Sequence, residues 1–268
     1  MNLQLLDRVE QLFLHLSDNL IRMLPQPVPD KERLRTCKIV SHRGEHDQLR
    51  VENTIPAFER AGLAGVWGIE FDVRWTKDLV PVVFHDATLR RIFGDDAPVN
   101  ALRFDQLRSS YPLIPTLAEV VEQFGKTLHL MIELKEDHLT AVAEQNETLK
   151  RTLGPLSGAE DYHMLSLSTR VPELITFAPP RTYLPIARLN VLSVSRMSLE
   201  NRYGGINLHY AFLTKKRIKR HRLAHQQVGV GYVKTKNSLF REINRGVDWI
   251  FSNHAAKLQL IASEISGR

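Results

Sequence analysis

Hydrophobic positions recur along this chain in two rhythms. In residues 3–24, Leu5, Leu6, Val9, Leu12, Phe13, Leu16 and Leu20 fall three or four apart with charges between them. That spacing predicts an amphipathic helix, which Pro25, Pro27 and Pro29 end. From Cys37 onward, short β-rich runs alternate with helical patterns. Strands are expected at 38–42, 68–73, 81–85, 128–134, 162–167, 182–188, 205–210, 228–233 and 248–252. Helices are expected at 55–63, 117–124, 141–153, 215–226 and 239–245, among others. Thr116 and Glu119 have the spacing of a capping box and mark one helix start.

Such alternation predicts an α/β protein with a parallel sheet covered by helices. The chain has 268 residues, a length that suits one TIM-like (β/α)8 barrel. The expected organisation is an N-terminal helix and Pro-rich linker over 1–30, then one barrel domain over 31–268. Nine strands are one too many, and the runs at 68–73 and 81–85 lie too close to hold a crossover helix. Either one run lies outside the barrel or the barrel is irregular.

With 43% hydrophobic and 25% charged residues, the composition is that of a globular protein and excludes disordered and collagen-like classes. The single cysteine, Cys37, allows no internal disulfide. The first residues lack a basic n-region, and Asp7, Arg8, Glu10, Asp18 and Arg22 interrupt any signal-peptide core. No run of about 18 apolar residues occurs. These features together predict a cytoplasmic protein. The net charge of +6 is local: Lys215, Lys216, Arg217, Lys219, Arg220 and Arg222 carry it with no acid among them, and the other basic residues equal the 30 acids. Nucleic-acid binding is not expected from one patch without interleaved aromatics.

The strand period of two gives the first chemical signal. In Gly68-Ile69-Glu70-Phe71-Asp72-Val73, Glu70 and Asp72 share one face and the apolar trio the other. The apolar face suits the helix layer, so the carboxylates point into the barrel. By the same alternation Glu133 and Lys135 point inward beyond Leu130, Ile132 and Leu134. Three inward carboxylates cost several kcal/mol unless a cation or proton shares their site. Two arrangements relieve the cost: one divalent cation, Mg²⁺ or Ca²⁺ given hard oxygen ligands, or a buried ion-pair network with Lys135 and Arg43.

Two histidines shift the balance towards chemistry. His42 ends one predicted strand and His85 another, and in a parallel barrel all such ends meet at the rim that carries the active site. A divalent cation, Arg43 and Lys135 as positive charge, and two imidazoles as acid and base form a set suited to phosphate-ester cleavage.

The ordered motifs resemble the glycerophosphodiester phosphodiesterase family. They read His42-Arg43-Gly44, Glu52-Asn53-Thr54 with Ala57-Phe58 and Ala61, Gly68 to Val73, Thr76, Asp78, Pro81 to Asp86 with Leu89 and Arg90, Ile114 to Leu117 with Glu119-Val120, and Glu133-x-Lys135. The resemblance covers roughly residues 39–135. It implies a TIM-like barrel, a divalent metal, and hydrolysis of glycerophosphodiesters to an alcohol and glycerol phosphate. By position it makes His42 and His85 the acid/base pair, Glu70, Asp72 and Glu133 the metal ligands, and Arg43 and Lys135 the phosphate contacts. It also implies that the glycerol hydroxyl beside the phosphate can attack first, giving a cyclic intermediate that water opens.

The second half departs from that pattern. Gly231-Tyr232-Val233-Lys234 stands where the family has a Trp-Thr-Val-Asn-like strand end, Ser252-Asn253 replaces Thr-Asp, and Leu167 replaces Phe. These positions shape the pocket around the substrate alcohol, so lysophospholipase D-type action and a non-hydrolysing barrel that binds a phosphodiester or partner remain alternatives. Asn53 has two readings, a helix cap or a site contact. Trp67, Trp75 and Trp249 are expected to pack, and His209 to face inward. The N-terminal helix is expected to lie on the barrel, since its charges sum to minus one and do not favour anionic lipid. The basic run over 215–222 is either a solvated face or a transient membrane-surface contact.

Overall fold

The computed structural model describes residues 17, 19–135 and 139–267. The amphipathic helix expected over 3–24 lies largely outside them; the described residues 19–23 are helical. Among the described residues there are nine strands: β1 (Lys38–His42), β2 (Gly68–Trp75), β3 (Pro81–Val83), β4 (His129–Leu134), β5 (Tyr162–Ser166), β6 (Tyr183–Ala187), β7 (Gly205–His209), β8 (Gln227–Gly231) and β9 (Trp249–Ser252). All except β3 pair in parallel in the order β1-β9-β8-β7-β6-β5-β4-β2, and β1 pairs β2 to close the ring. The fold is a closed eight-stranded TIM barrel.

The ninth strand resolves the surplus. Strand β3 runs antiparallel to the end of β2, with Val73 opposite Val83 and Trp75 opposite Pro81, and β2 extends two residues beyond its expected end to receive it. The chain then makes short helices at Arg90–Phe93 and Phe104–Ser110 before the crossover helix Leu117–Phe124. This excursion has its own apolar cluster of Val82, Phe84, Leu89, Val99, Leu107 and Ile114. It carries His85 to the barrel mouth.

The alternation read from the sequence holds in β2 and β4. Ile69, Phe71, Val73, Leu130, Ile132 and Leu134 join the cluster between strands and helices, while Val40, Met131, Leu165, Leu184, Trp249 and Phe251 fill the barrel. The Thr116–Glu119 capping box opens Leu117–Phe124 as expected. The helix expected at 215–226 is shorter, Lys215–Leu223, because Gln226 turns to donate to the Ser198 and Tyr203 carbonyls. The helix expected at 239–245 begins earlier, at Lys236, under a second capping box of Thr235 and Ser238.

A polar layer floors the barrel. His129 stacks on Trp67 at 4.2 Å, its Nε2 lies 2.8 Å from His163 Nδ1, and His163 meets Trp249 edge-on. Burial, with Lys38 nearby, lowers the His129 pKa to about 4; burial and His129 hold His163 well below its ordinary value. Both are therefore neutral in the folded state at pH 7. Folded-state pKa values below the unfolded value of about 6.5 mean that the unfolded chain binds more protons, so stability is full above that pH and falls as pH drops towards 4. Urea midpoints should decline over this window, and His129→Gln with His163→Gln should flatten the decline. An unchanged acid limb in the double variant would remove these histidines from the explanation.

Candidate active site

Strand β1 delivers His42, and the chain then reverses through left-handed backbone at Arg43 (φ 60°) and Gly44 (φ 76°). Gly44 is required by closeness as well as by angle: a Cβ there would lie 2.8 Å from Ala57. The reversal lets the Arg43 N–H donate to the Glu70 carbonyl at 2.8 Å and to Glu70 Oε2 at 3.2 Å. Register sets His42 opposite Glu70 on β2, and Asp72 opposite Glu133 on β4. The seven residues selected from the sequence thus converge. His42, Arg43, Glu70, His85, Glu133 and Lys135 line a cavity of about 580 Å³, and Asp72 is fully buried beside them.

Carboxylate oxygens of Glu70, Asp72 and Glu133 lie within 4.8 Å of one another. Cations reach two of the three acids. Lys135 Nζ lies 2.8 Å from Glu133 Oε1 and 3.3 Å from Asp72 Oδ1, and Arg43 Nε lies 3.1 Å from Asp72 Oδ2. Glu70 has His42 Nε2 at 3.7 Å, but burial and Arg43 lower the His42 pKa to about 4, so that imidazole is neutral at pH 7. Burial, then Asp72 and Glu133, push Glu70 well above the usual carboxylate range, and burial likewise raises Glu133. Burial opposes ionisation of Asp72 too, but Lys135 and Arg43 outweigh it and hold Asp72 low.

The two arrangements considered from the sequence can now be separated. The ion-pair network exists, but among the described residues it pairs Asp72 and Glu133 and leaves Glu70 with no Lys or Arg in ion-pair contact, Arg43 and Lys135 acting on it only from farther off. Among the described residues Glu70 Oε1 is buried without a hydrogen bond, and Asp72 Oδ1 has only its 3.3 Å ion pair with Lys135. Three buried hard-oxygen donors, two with unused lone pairs, fit a divalent cation and could hold one. Acceptors beside both histidines fix their neutral tautomers. His85 Nδ1 lies 2.5 Å from Asp86 Oδ1, and His42 Nδ1 lies 2.5 Å from Asn253 Oδ1. Each Nδ1 therefore donates, leaving Nε2 to accept a proton.

The structure decides between the two readings of Asn53 and adds contributors to which the sequence assigned no role. Asn53 is a site residue and not a cap: its Nδ2 donates to Asp72 Oδ2 at 2.8 Å, its Oδ1 accepts from the Asp72 N–H at 3.3 Å, and Thr54 occupies the cap position. Asn53→Ala should weaken divalent-cation affinity by about 10–100-fold, the scale for losing a residue that orients a ligand, as measured by titration calorimetry; unchanged affinity would make the clamp irrelevant. An ion-pair chain runs from His85 through Asp86, Arg91 and Glu52 to Arg43, with contacts of 2.5, 2.5, 2.6 and 3.1 Å. The resembling motifs include Glu52 and Asp86 but gave them no role, and nothing local flagged Arg91. The divergent positions Leu167, Tyr232 and Asn253 all line the cavity. His209 faces inward as expected, accepts from the Ala211 N–H through Nδ1 and stacks on Tyr232 at 5.5 Å. Trp75 and Trp249 are buried in packing.

Fold and site together define a TIM-barrel protein whose catalytic-face cavity can hold a metal beside two imidazoles. The chain belongs to the glycerophosphoryl diester phosphodiesterase family, whose model matches residues 42–257. It is 33% identical over 118 residues to rat glycerophosphodiester phosphodiesterase 1, a match covering 37% of this chain and 35% of the relative. The matched segment thus spans about a third of that relative's length. Among solved structures, a glycerophosphodiester phosphodiesterase from Parabacteroides distasonis aligns with TM-score 0.70 and 23% identity over 86% of this chain and 98% of the other. An Oleispira antarctica phosphodiesterase in complex with the product sn-glycerol-3-phosphate aligns with TM-score 0.71 and 21% identity, over 86% and 98%. At these identities the structural likeness establishes the fold.

Proposed function

We propose that this protein hydrolyses glycerophosphodiesters to an alcohol and glycerol phosphate, using a divalent cation, Mg²⁺ or Ca²⁺, held by Glu70, Asp72 and Glu133. The observation that carries the reading is Glu70 itself, an acid that, among the described residues, has no Lys or Arg in ion-pair contact, in a cavity that also presents two imidazoles. Family membership and the glycerol-phosphate complex of the Oleispira relative support the substrate class. When bound, the cation would polarise phosphoryl oxygens as a Lewis acid.

Every other role falls to the chain. Arg43 and Lys135 supply fixed positive charge and N–H donors to the developing phosphoryl charge. His42 and His85 act as the acid/base pair: one, as the neutral ring, takes a proton from the attacking hydroxyl through Nε2, and the other, loaded beforehand with a second proton on Nε2 as imidazolium, gives that proton to the leaving alcohol. Asp86 and Asn253 accept from Nδ1 of each ring and so turn each Nε2 towards the exchange. The test is release of free alcohol from a panel of glycerophosphodiesters and lysophospholipids. Turnover of glycerophosphodiesters supports the reading; turnover confined to lysophospholipids shifts it to lysophospholipase D-type action, and none at all leaves a binding barrel.

A further inference from the structure

We infer that the barrel mouth docks on an anionic phospholipid surface through a composite patch of cationic and apolar residues. Residues 201–241 contain no Asp or Glu. They include helix Lys215–Leu223 and the start of its neighbour Lys236–Arg245, whose one acid, Glu242, is buried and paired with Arg241 and Arg245; a groove of about 380 Å³ bordered by Lys215, Lys219 and Arg222 separates the two helices. Lys215, Lys216, Lys219 and Arg220 are exposed. A chain whose remaining charges balance therefore concentrates its excess on one face.

Topology places the start of this face, at Lys215 and Lys216, beside the mouth. Each helix starts just after the C-terminal end of a barrel strand, Lys215 after β7 and Lys236 after β8 and the cavity residue Lys234, and those strand ends form the active rim. Two side-chain amides then bring apolar groups to the same place. Asn237 Nδ2, at the rim end of its helix, donates to the Arg22 carbonyl at 2.8 Å, and Asn244 Nδ2, lower on that helix, donates to the Pro27 carbonyl at 2.8 Å. The N-terminal segment is thereby held along the helix with residues 20–24 at the rim. Ile21 packs on the core, while Leu20, Met23 and Leu24 are 61%, 76% and 47% exposed. Exposed apolar side chains next to unbalanced cations are the two components of interfacial binding, insertion and attraction to acidic headgroups. The minus-one charge of the first 24 residues does not oppose this, because the attraction comes from the cations of helix Lys215–Leu223. For the proposed reaction, docking would raise the local concentration of membrane-borne diesters at the cavity; the surface inference rests on that reading only for its purpose.

The test is sedimentation of the full chain with phosphatidylcholine vesicles, with and without phosphatidylglycerol, alongside a salt-dependent DNA-retention assay. Binding to the anionic vesicles alone, weakening with salt, is expected. Changing Lys215, Lys216, Lys219 and Arg220 together to Gln should weaken it at least about 100-fold, and changing Leu20, Met23 and Leu24 to Ser should weaken it separately. Both variants should hydrolyse a soluble glycerophosphodiester at the parental rate. Equal binding to neutral vesicles, retention on DNA without vesicle binding, or full binding by the four-Gln variant would each overturn the inference. Vesicle binding by a chain that hydrolyses no diester would overturn the proposed reaction and leave the docking surface intact.

Discussion

Glu70→Gln is expected to lower turnover by at least about 10³-fold, the loss that follows from removing several kcal/mol of transition-state charge stabilisation. Gln keeps the volume of Glu and the oxygen that accepts from the Arg43 N–H, but of the three site acids it removes the carboxylate that, among the described residues, has no Lys or Arg in ion-pair contact. In the metal-free protein the same change removes a repulsion from Asp72 and Glu133. A carboxyl whose folded pKa is raised penalises the fold increasingly as pH rises through and beyond the carboxylate range. The metal-free variant should therefore unfold at a Tm equal to or above that of the parent at pH 7, while calorimetric titration with Mg²⁺ or Ca²⁺ shows weakened binding. A variant that is inactive, unfolded and unable to bind metal would point to a structural role; a fully active variant would remove Glu70 from the site.

His42→Ala and His85→Ala should each lower kcat by about 10²-fold or more, the scale for a positioned acid or base. Both rings line the cavity and both present Nε2 because Nδ1 is committed to Asn253 or Asp86. A shared reaction implies non-additivity: the double variant should be little slower than the slower single one, because one absent proton transfer already stalls the sequence. Asn253→Ala and Asp86→Asn should act in the same direction but more weakly, since they orient a ring and do not exchange the proton. If both single alanine variants turned over near the parental rate, the acid/base assignment would fail.

The parts of the fold legible in the sequence are those where one face is apolar without interruption. Alternation in β2 and β4 showed which way Glu70, Asp72 and Glu133 point because Ile69, Phe71, Leu130 and Ile132 all pack against the helices. The helices Val191–Glu200 and Ala255–Ser266 carried a weaker signal: their buried faces include Ser195, Ser198, Gln259 and Ser266, small or polar residues that dilute the period. The extra strand was visible as a run but not as an antiparallel appendage, because an apolar run carries no direction. For the site, strand ends sufficed to collect seven residues. They could not show that Asn53 clamps Asp72, because that contact depends on left-handed backbone at residue 53 (φ 58°). Nor could they show the Asp86–Arg91–Glu52 chain, which closes only when the excursion after β3 folds back over the mouth.

The central claim is that the three carboxylates work through a shared divalent cation to open a glycerophosphodiester. The most direct measurement is glycerol phosphate release by the intact chain after exhaustive chelation, then after Mg²⁺ or Ca²⁺ is restored. Activity absent in chelator and recovered on adding back one of these ions, with Glu70→Gln failing to recover, is the expected result. Full activity in excess chelator would contradict the claim and return Glu70, Asp72 and Glu133 to a purely structural ion-pair network.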